Sequence, residues 1–524
     1  MKAKTIIAIA TLLAFGQGAW ADGTTSFPLH YNAETNPEDG SEAHPYQIQS
    51  VSDLNTLASD VNSGTAYSGK HFILTADLDY SGVALFDTDE DGEADSNFTP
   101  IGYQAFDDSD APDYENSRPF KGTFNGNSKT ISGLTISGVA DLGIFGFIHG
   151  ATIKNLTVDQ SSITGSTCLG GIAGEAYSGE FLIDNCYVTG NVTIDGGNEG
   201  YLVGGIIGYG QTGTIKDCIS AATVKGDEAI GGIAGSFGDE AAMSTKSCVD
   251  CYYSANSVTG TKSYGAIIGD NSGIDFAITL LDNDSEAAIS NATRLSNYDD
   301  LEANVTLSGR TLYKDNSWNT ICLPFAMTAA QVTAQLAPTK LMTLSTATFA
   351  EGTLTLNFAD ATEIEAGKPY IIKWTGNTEW GNPTFEGVTV SSAAPTDVEG
   401  TAANFHGIYS PYSTGGENKS MLYLGASNKL YYPSADMTIN AVRAYFTLNG
   451  IEAGPASSSA PAAARAFVLN FGDGDGATGI LSLSADSKDS KDNAAWYDMQ
   501  GRRLSGKPTA SGIYINNGNK IVIK

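Results

Sequence analysis

The sequence predicts a mostly β chain: a parallel β-helix (solenoid), then an antiparallel β-sandwich, then a small C-terminal β domain. Three observations point there. The 524 residues include 60 glycines and only 17% charged residues, with few long helical patterns, which suits short strands joined by tight turns. A glycine-bounded tetrapeptide recurs through the first half at solenoid spacing. After about residue 300 the repeat stops and short alternating runs take over. A hydrophobic fraction of 41% is enough to build cores, so wholesale disorder is not expected. Lys+Arg number 28 against 59 Asp+Glu, a net charge of −31, which argues against a nucleic-acid footprint and disfavours anionic partners.

Residues 1–21 read as a cleaved secretory signal: Lys2 and Lys4 precede the apolar run from Thr5 to Phe15, and Ala19-Trp20-Ala21 supplies small residues for cleavage. No later stretch approaches the ~20 apolar residues of a membrane span, so the mature chain is expected to carry no transmembrane segment. Residues 22–135 form a cap and lead-in to the solenoid. Within them Leu54, Leu57, Ala58 and Val61 follow helical spacing, with Ser52 as N-cap, Asp53 in the first turn and Gly64 past the end. A helix there covers the open edge of the stack, which would otherwise invite strand addition.

The segment Asp87-Thr-Asp-Glu-Asp-Gly-Glu-Ala-Asp95 places carboxylates at loop positions 1, 3, 5 and 9 with glycine at 6. That spacing folds oxygen ligands around Ca²⁺, so Asp87, Asp89, Asp91 and Asp95 are candidate ligands of a structural calcium ion. Phe98 stands at position 12, where a full EF-hand loop has its bidentate acid, and a solvated acidic insertion is the competing reading.

Residues 136–290 carry the repeat. Gly-Ile-Phe-Gly at 143–146 returns as Gly-Ile-Ala-Gly at 171–174, Gly-Ile-Ile-Gly at 205–208, Gly-Ile-Ala-Gly at 232–235 and Ala-Ile-Ile-Gly at 266–269. A second signature follows each of the first four: Ile153-Lys-Asn-Leu156, Ile183-Asp-Asn-Cys186, Ile215-Lys-Asp-Cys218 and Cys248-Val-Asp-Cys251. Each unit offers about three short apolar runs, so one unit is expected to make one three-sided coil. Stacking then aligns Ile172, Ile206, Ile233 and Ile267 in an apolar column. Asn155, Asn185, Asp217 and Asp250 hold the position where the chain bends through the left-handed region. Cys186, Cys218 and Cys251 fall in the next column, where buried thiols are favoured over disulfides because Leu156 shares the position.

These residues resemble the GLUG-repeat family of bacterial surface proteins. The lead-in strengthens the likeness: Gly40 to Ile48, then Phe98-Thr-Pro-Ile-Gly102, then Phe120-Lys-Gly-Thr-Phe-Asn-Gly126 leading to Ile131-Ser-Gly-Leu134. Some relatives in that family are IgA-directed metallopeptidases with an HExxH zinc motif. The five histidines here, His30, His44, His71, His149 and His406, show no such spacing, so peptidase activity is not carried over.

Residues 305–450 read as an antiparallel sandwich of short strands, including a hairpin over Leu422–Tyr432 with Ser427 and Asn428 at its turn. Trp374, Trp380 and Tyr412 are its candidate ligand-stacking rings, with core packing as the commoner use of such residues. Residues 451–494 form a linker with an intervening strand. The last segment, 495–524, resembles the type IX secretion C-terminal sorting domain, carried by Tyr497, Asp498 and Gly501, then Gly512-Ile513-Tyr514, then the terminal Lys520-Ile-Val-Ile-Lys524. The resemblance implies the type IX machinery as a partner and an extracellular or outer-membrane surface destination.

No nucleophile motif, phosphate loop or dinucleotide fingerprint is present. Asp184, Asp195, Asp217 and Glu228 are candidate acids for glycan hydrolysis, but they stand in turn-like positions of an acid-rich chain. The reading is therefore a secreted, surface-displayed, non-enzymatic protein that binds glycans or proteins in the manner of an adhesin, with no cofactor beyond calcium. A β-helix carbohydrate-active enzyme and a structural stalk remain open as alternatives.

Overall fold

A computed structural model describes residues 39–471 except 90, 107–111, 178, 239–245, 254–257, 261, 263, 266, 271–273, 288, 426–427, 455–461 and 465, together with the backbone of 496–497, 512–516 and 519–523. The chain is mostly β, 51% strand and 8% helix, with a parallel β-solenoid of about 8 turns. It divides into two compact units, Met1–Arg310 with Asn382–Ser392, and Thr311–Gly381 with Ala393–Lys524.

The first unit is the solenoid. One stack runs through Tyr46–Ile48, His71–Leu74, Thr123–Ser132, Thr152–Asp159, Phe181–Asp184, Gly213–Lys216, Lys246–Val249, Asp275–Leu281 and Glu302–Ser308, all parallel. In-register pairing puts like on like: Ile153, Ile183, Ile215, Cys248 and Phe276 form one interior column. Ile172, Ile206, Ile233 and Ile267 form another, each within 1% of full burial. Their backbones are tied, Ile172 N–H to Ile206 C=O at 2.9 Å and Ile206 N–H to Ile233 C=O at 2.8 Å. Every such buried side chain contributes roughly 1.5–3 kcal/mol, so the columns hold the stack together coil by coil.

The bends follow the Asx positions. Asn155, Asn185, Asp217 and Asp250 have φ of 55°, 52°, 51° and 49°. The left-handed region costs an ordinary residue about 1–2 kcal/mol, and short polar side chains offset it by local hydrogen bonds. Here those bonds also run between coils, Asn185 Nδ2 to Asn155 Oδ1 at 2.8 Å and Asn155 Nδ2 to Asn125 Oδ1 at 2.9 Å. All six cysteines are unpaired and buried. The Sγ atom of Cys218 donates to the Lys216 carbonyl at 3.2 Å, and that of Cys251 to the Val249 carbonyl at 3.4 Å.

Two expectations are corrected. The coil is not three-sided, because Gly-Ile-x-Gly is the junction of two strands: Tyr201–Gly204 and Ile207–Gly210 belong to different five-stranded parallel stacks. Glycine is required there because a Cβ on Gly204 would collide with the Ile207 carbonyl oxygen. The helix is Val51–Asn62 and its N-cap is Ser50, not Ser52. Asp53 closes a capping box by accepting from the Ser50 N–H at 2.9 Å, while Ser50 accepts from the Asp53 N–H, so two orphan donors are satisfied two residues earlier than the apolar spacing suggested.

The stack ends on Glu302–Ser308, whose outer edge pairs antiparallel with Thr384–Thr389. An insertion from much later in the chain thus caps the last coil.

The second unit contains a five-stranded sheet, in the order Trp318–Cys322, Pro369–Lys373, Lys340–Ala350, Thr353–Asp360, Ala466–Asn470, and a four-stranded antiparallel sheet of Ala403–Ile408, Arg443–Leu448, Met421–Gly425 and Lys429–Tyr431. One buried cluster draws on both, with Leu344, Leu356, Phe358 and Leu469 from the first and Phe405, Leu422 and Phe446 from the second. The rings of Phe405 and Phe446 stack at 4.4 Å. The expected hairpin pairs Met421–Gly425 with Lys429–Tyr431. Asn428 takes φ 58° at its turn, and its Oδ1 accepts from the Trp318 N–H at 2.6 Å. Ser427 lies outside the described residues.

Candidate functional site

Four places carry the side chains that could do chemistry or binding. The acidic loop is closed by a bridge between Phe86 and Ser96. Inside it Asp87, Asp89 and Asp91 bring carboxylate oxygens within 4.8 Å of one another, all exposed. They accept backbone N–H groups along the loop: Asp87 from Asp89 at 3.2 Å and from Gly92 at 2.8 Å, Asp89 from Asp91 at 3.2 Å, and Asp91 from Glu93 at 2.8 Å. Gly92 has φ 93°, so the glycine at position 6 is needed for the turn. Asp95 departs from the expected set. Its carboxylate accepts from the Thr88 hydroxyl at 2.8 and 2.9 Å and from the Thr88 N–H at 3.2 Å, which holds it apart from the three-acid group. The remaining three offer hard oxygen donors, the kind calcium takes.

The three candidate rings divide. Trp374 is 5% exposed and its indole N–H donates to the Leu336 carbonyl at 2.7 Å, so it is a core residue without an open face for a ligand. Trp380 is half-buried on the strand Thr378–Gly381, with the Lys314 ammonium 4.5 Å from its ring centroid. Tyr412 is exposed and stacks on Tyr445 at 5.2 Å, which stacks on His406 at 5.2 Å. The His406 Nδ1 lies 2.7 Å from an Asp397 carboxylate oxygen, which fixes the ring's orientation.

The outer face of the solenoid carries in-register hydroxyls. Thr135, Ser162, Thr193 and Thr223 occupy successive rungs of one stack, with rungs spaced about 4.8 Å. Beside them lies a shallow depression of about 480 Å³ lined mainly by Thr135, Gln160, Ser162, Asn191 and Thr193, with no charged lining residue. The acids considered for hydrolysis do not converge here. Asp184 and Asp217 flank Lys216 at 4.0 and 3.0 Å, Asp195 faces Lys225 at 3.5 Å, and Glu228 faces Lys262 at 3.6 Å. Each thus has a cation on a neighbouring coil or residue.

A fourth group was missed by the sequence reading. Asp141, Cys168 and Glu175 bring two carboxylate oxygens and a sulfur within 4.8 Å of one another, all buried. Asp141 and Cys168 sit on adjacent rungs of the stack that continues through Tyr201–Gly204, each with φ 56°. Glu175 pairs in register with Phe147 and Tyr209. Gln104 closes the group, its N–H donating to Asp141 Oδ2 at 3.2 Å and its amide to Glu175 Oε1 at 3.4 Å. Burial, with the Asp141 charge beside it, pushes Glu175 up to about 8; burial likewise raises Asp141 to about 6, and Cys168 well above its ordinary range. The available signal was positional: where Asp141 stands, later coils have Cys168, Leu202 and Ala229.

Of the terminal residues, Tyr497 lies in the strand Trp496–Tyr497, and Gly512, Ile513 and Tyr514 lie in Gly512–Asn516. Gly512–Asn516 is the central strand, antiparallel to both Trp496–Tyr497 and Asn519–Ile523. Asp498, Gly501 and Lys524, like the 1–21 segment, lie outside the described residues. No helix among the described residues is long and apolar enough to cross a membrane.

Comparison with known proteins agrees with the repeat. Residues 165–193 match the family described as the GLUG motif. That span starts just before Thr167–Gly170 and ends at the start of Thr193–Asp195, so it covers about one coil. Halomucin of Haloquadratum walsbyi is 34% identical over 186 residues, which is 35% of this chain but only 2% of halomucin. A crystal structure from Bacteroides ovatus, provisionally named an immunoglobulin A1 protease, aligns with 46% of this chain and 66% of its own at 23% identity and a TM-score of 0.32. The chain carries a GLUG motif, set in one coil of a parallel β-solenoid of about 8 turns.

Proposed function

We propose that the chain is a non-enzymatic surface protein that binds uncharged glycans through its solenoid face, in the manner of an adhesin. The observation that carries this is the ladder of Thr135, Ser162, Thr193 and Thr223 beside a depression without charged lining. Hydroxyls and amides at regular spacing match the donors and acceptors of a neutral sugar chain, and a net charge of −31 opposes anionic ones. Tyr412, exposed on the second unit, is a further stacking surface for a sugar ring. The buried pair of Asp141 and Glu175 has no room for a substrate between its members, which favours the non-enzymatic reading over glycan hydrolysis. The two sheets of the second unit, joined by one apolar cluster, are read as a sandwich. Export through the type IX machinery fits the three-stranded antiparallel C-terminal sheet, with the protein placed at the cell surface.

The test is a glycan array with parallel assay for released reducing ends, comparing the mature chain with Ser162→Arg, which fills the depression. Saturable binding of neutral glycans, weakened at least about tenfold by the substitution and without product, is the expected result. Product release overturns the non-enzymatic reading, and absence of any saturable ligand leaves the structural stalk. Deletion of 495–524 in a host with type IX secretion is expected to retain the protein inside the cell envelope.

A further inference from the structure

Asp141 and Glu175 are each 6% exposed and face one another in the first repeat coils. Two carboxylates at such range cannot both ionise without a cation, because the interior does not screen their repulsion. The groups that face them are few. From the strand Tyr103–Phe106 comes Gln104, uncharged; from Thr167–Gly170 comes Cys168; the in-register neighbours of Glu175 are Phe147 and Tyr209. Among the described residues neither carboxyl has a Lys, Arg or His partner, and the titratable groups acting on them are each other and Cys168.

The hydrogen bonds show how the pair is accommodated. Gln104 satisfies one oxygen on each carboxyl, Asp141 Oδ2 through its backbone N–H and Glu175 Oε1 through its amide. A proton on Glu175 donated to Asp141 leaves a single negative charge on the pair, with the Cys168 side chain a further hydrogen-bond partner of Glu175. Gln104 belongs to a two-stranded antiparallel ribbon of Tyr103–Phe106 and Pro112–Arg118, inserted in the lead-in before the repeat. We propose that the proton shared by Asp141 and Glu175 is a latch that seats this ribbon on the first GLUG coils, and that alkaline pH opens it.

The direction follows from burial. Glu175 is raised from 4.5 to about 8 and Asp141 from 3.8 to about 6, so the folded chain binds protons more tightly than the unfolded one. The latch is therefore closed at low pH, holds one proton through neutrality, and is lost as pH rises through about 8. Nothing in the glycan-binding reading requires this device, and neither idea fails with the other.

Hydrogen exchange on the full mature chain tests it, after correction for intrinsic rates at about pH 6 and about pH 9. The Gln104 amide is expected to lose at least about tenfold in protection between them. The Ile233 amide, bonded to the Ile267 carbonyl deep in the stack, is expected to keep its protection. Glu175→Gln keeps the donor and removes the group that titrates at about 8, so Gln104 protection should lose its step there and keep only the smaller change from Asp141 at about 6. If that variant fails to fold, the wild-type contrast between Gln104 and Ile233 still decides. Unchanged Gln104 protection, or equal loss at Ile233, overturns the latch. So does Co²⁺ binding that produces a thiolate charge-transfer band removed by Cys168→Ser, since a cation would then neutralise the pair.

Discussion

Replacing Gly208 by alanine adds one methyl group where the coils touch most closely. A Cβ on Gly208 would stand 2.5 Å from the Cys168 carbonyl carbon and from the Leu169 nitrogen, both backbone atoms of the preceding coil. The same glycine one coil earlier, Gly174, would meet the Asp141 carbonyl carbon at 2.5 Å and the Leu142 nitrogen at 2.6 Å. Ordinary carbon contacts need about 3.5–4.0 Å, so the two rungs must separate by about 1 Å. They cannot do so freely, because Leu169 sits in register between Leu142 and Val203. Overpacking of this kind costs roughly 1–3 kcal/mol, and backbone obstruction puts it at the upper end. The smaller entropy of unfolded alanine returns about 0.4–1 kcal/mol. The net expectation is a loss of about 2 kcal/mol, read from urea unfolding of residues 22–524 and localised by hydrogen exchange in adjoining coils. Gly190→Ala is the control, since its Cβ would meet only Ala221, at ordinary contact distances of 3.6 Å to the carbonyl oxygen and 3.9 Å to Cβ. If Gly208→Ala proves as mild as the control, close backbone approach is not the reason for the last glycine of the tetrapeptide.

Other substitutions separate packing from binding. Asn185→Ala should cost about 2 kcal/mol in urea unfolding, from a non-glycine residue held at φ 52° and the lost bond to Asn155, whereas Asn185→Gly should recover the conformational part. Trp374→Ala should cost roughly 3–5 kcal/mol through the cavity and the orphaned Leu336 carbonyl, while Tyr412→Ala should leave the melting temperature nearly unchanged and weaken glycan binding. About 5 mM Ca²⁺ should raise the melting temperature relative to EDTA, and Asp89→Asn should abolish the rise; no shift in the wild type removes the calcium proposal.

The repeat was readable because a solenoid writes a three-dimensional contact as a one-dimensional recurrence. Ile172, Ile206, Ile233 and Ile267 needed only their spacing, and the left-handed bends at Asn155, Asn185, Asp217 and Asp250 needed only their residue type. The tetrapeptide's geometry was harder. Leu202-Val-Gly-Gly-Ile-Ile207 has the composition of one strand, yet its two ends pair into different stacks, with the chain turning so tightly between them that a Cβ on Gly204 would strike the Ile207 oxygen. Asp95 met the spacing of a calcium loop, yet the Thr88 hydroxyl competes for its carboxylate, and hydroxyl placement is invisible to spacing. Trp374 was indistinguishable in sequence from an exposed ring, because the Leu336 carbonyl it bonds lies 38 residues away.

The end of the stack was illegible for a different reason. A parallel stack leaves a row of unpaired N–H and C=O groups at its last rung, so something must cover Glu302–Ser308. Continuing the repeat would only move the problem one coil onward. Thr384–Thr389 solves it by approaching antiparallel, with a register shift between Ala303 and Val305 and a hydroxyl contact of 2.9 Å between Thr306 and Thr384. An antiparallel strand with a bulge presents an edge that does not match the spacing of another GLUG coil, so the insertion ends the stack instead of extending it. Its sequence carries no trace of the repeat, and it stands about 75 residues beyond the strand it covers, so repeat spacing gave no way to find it.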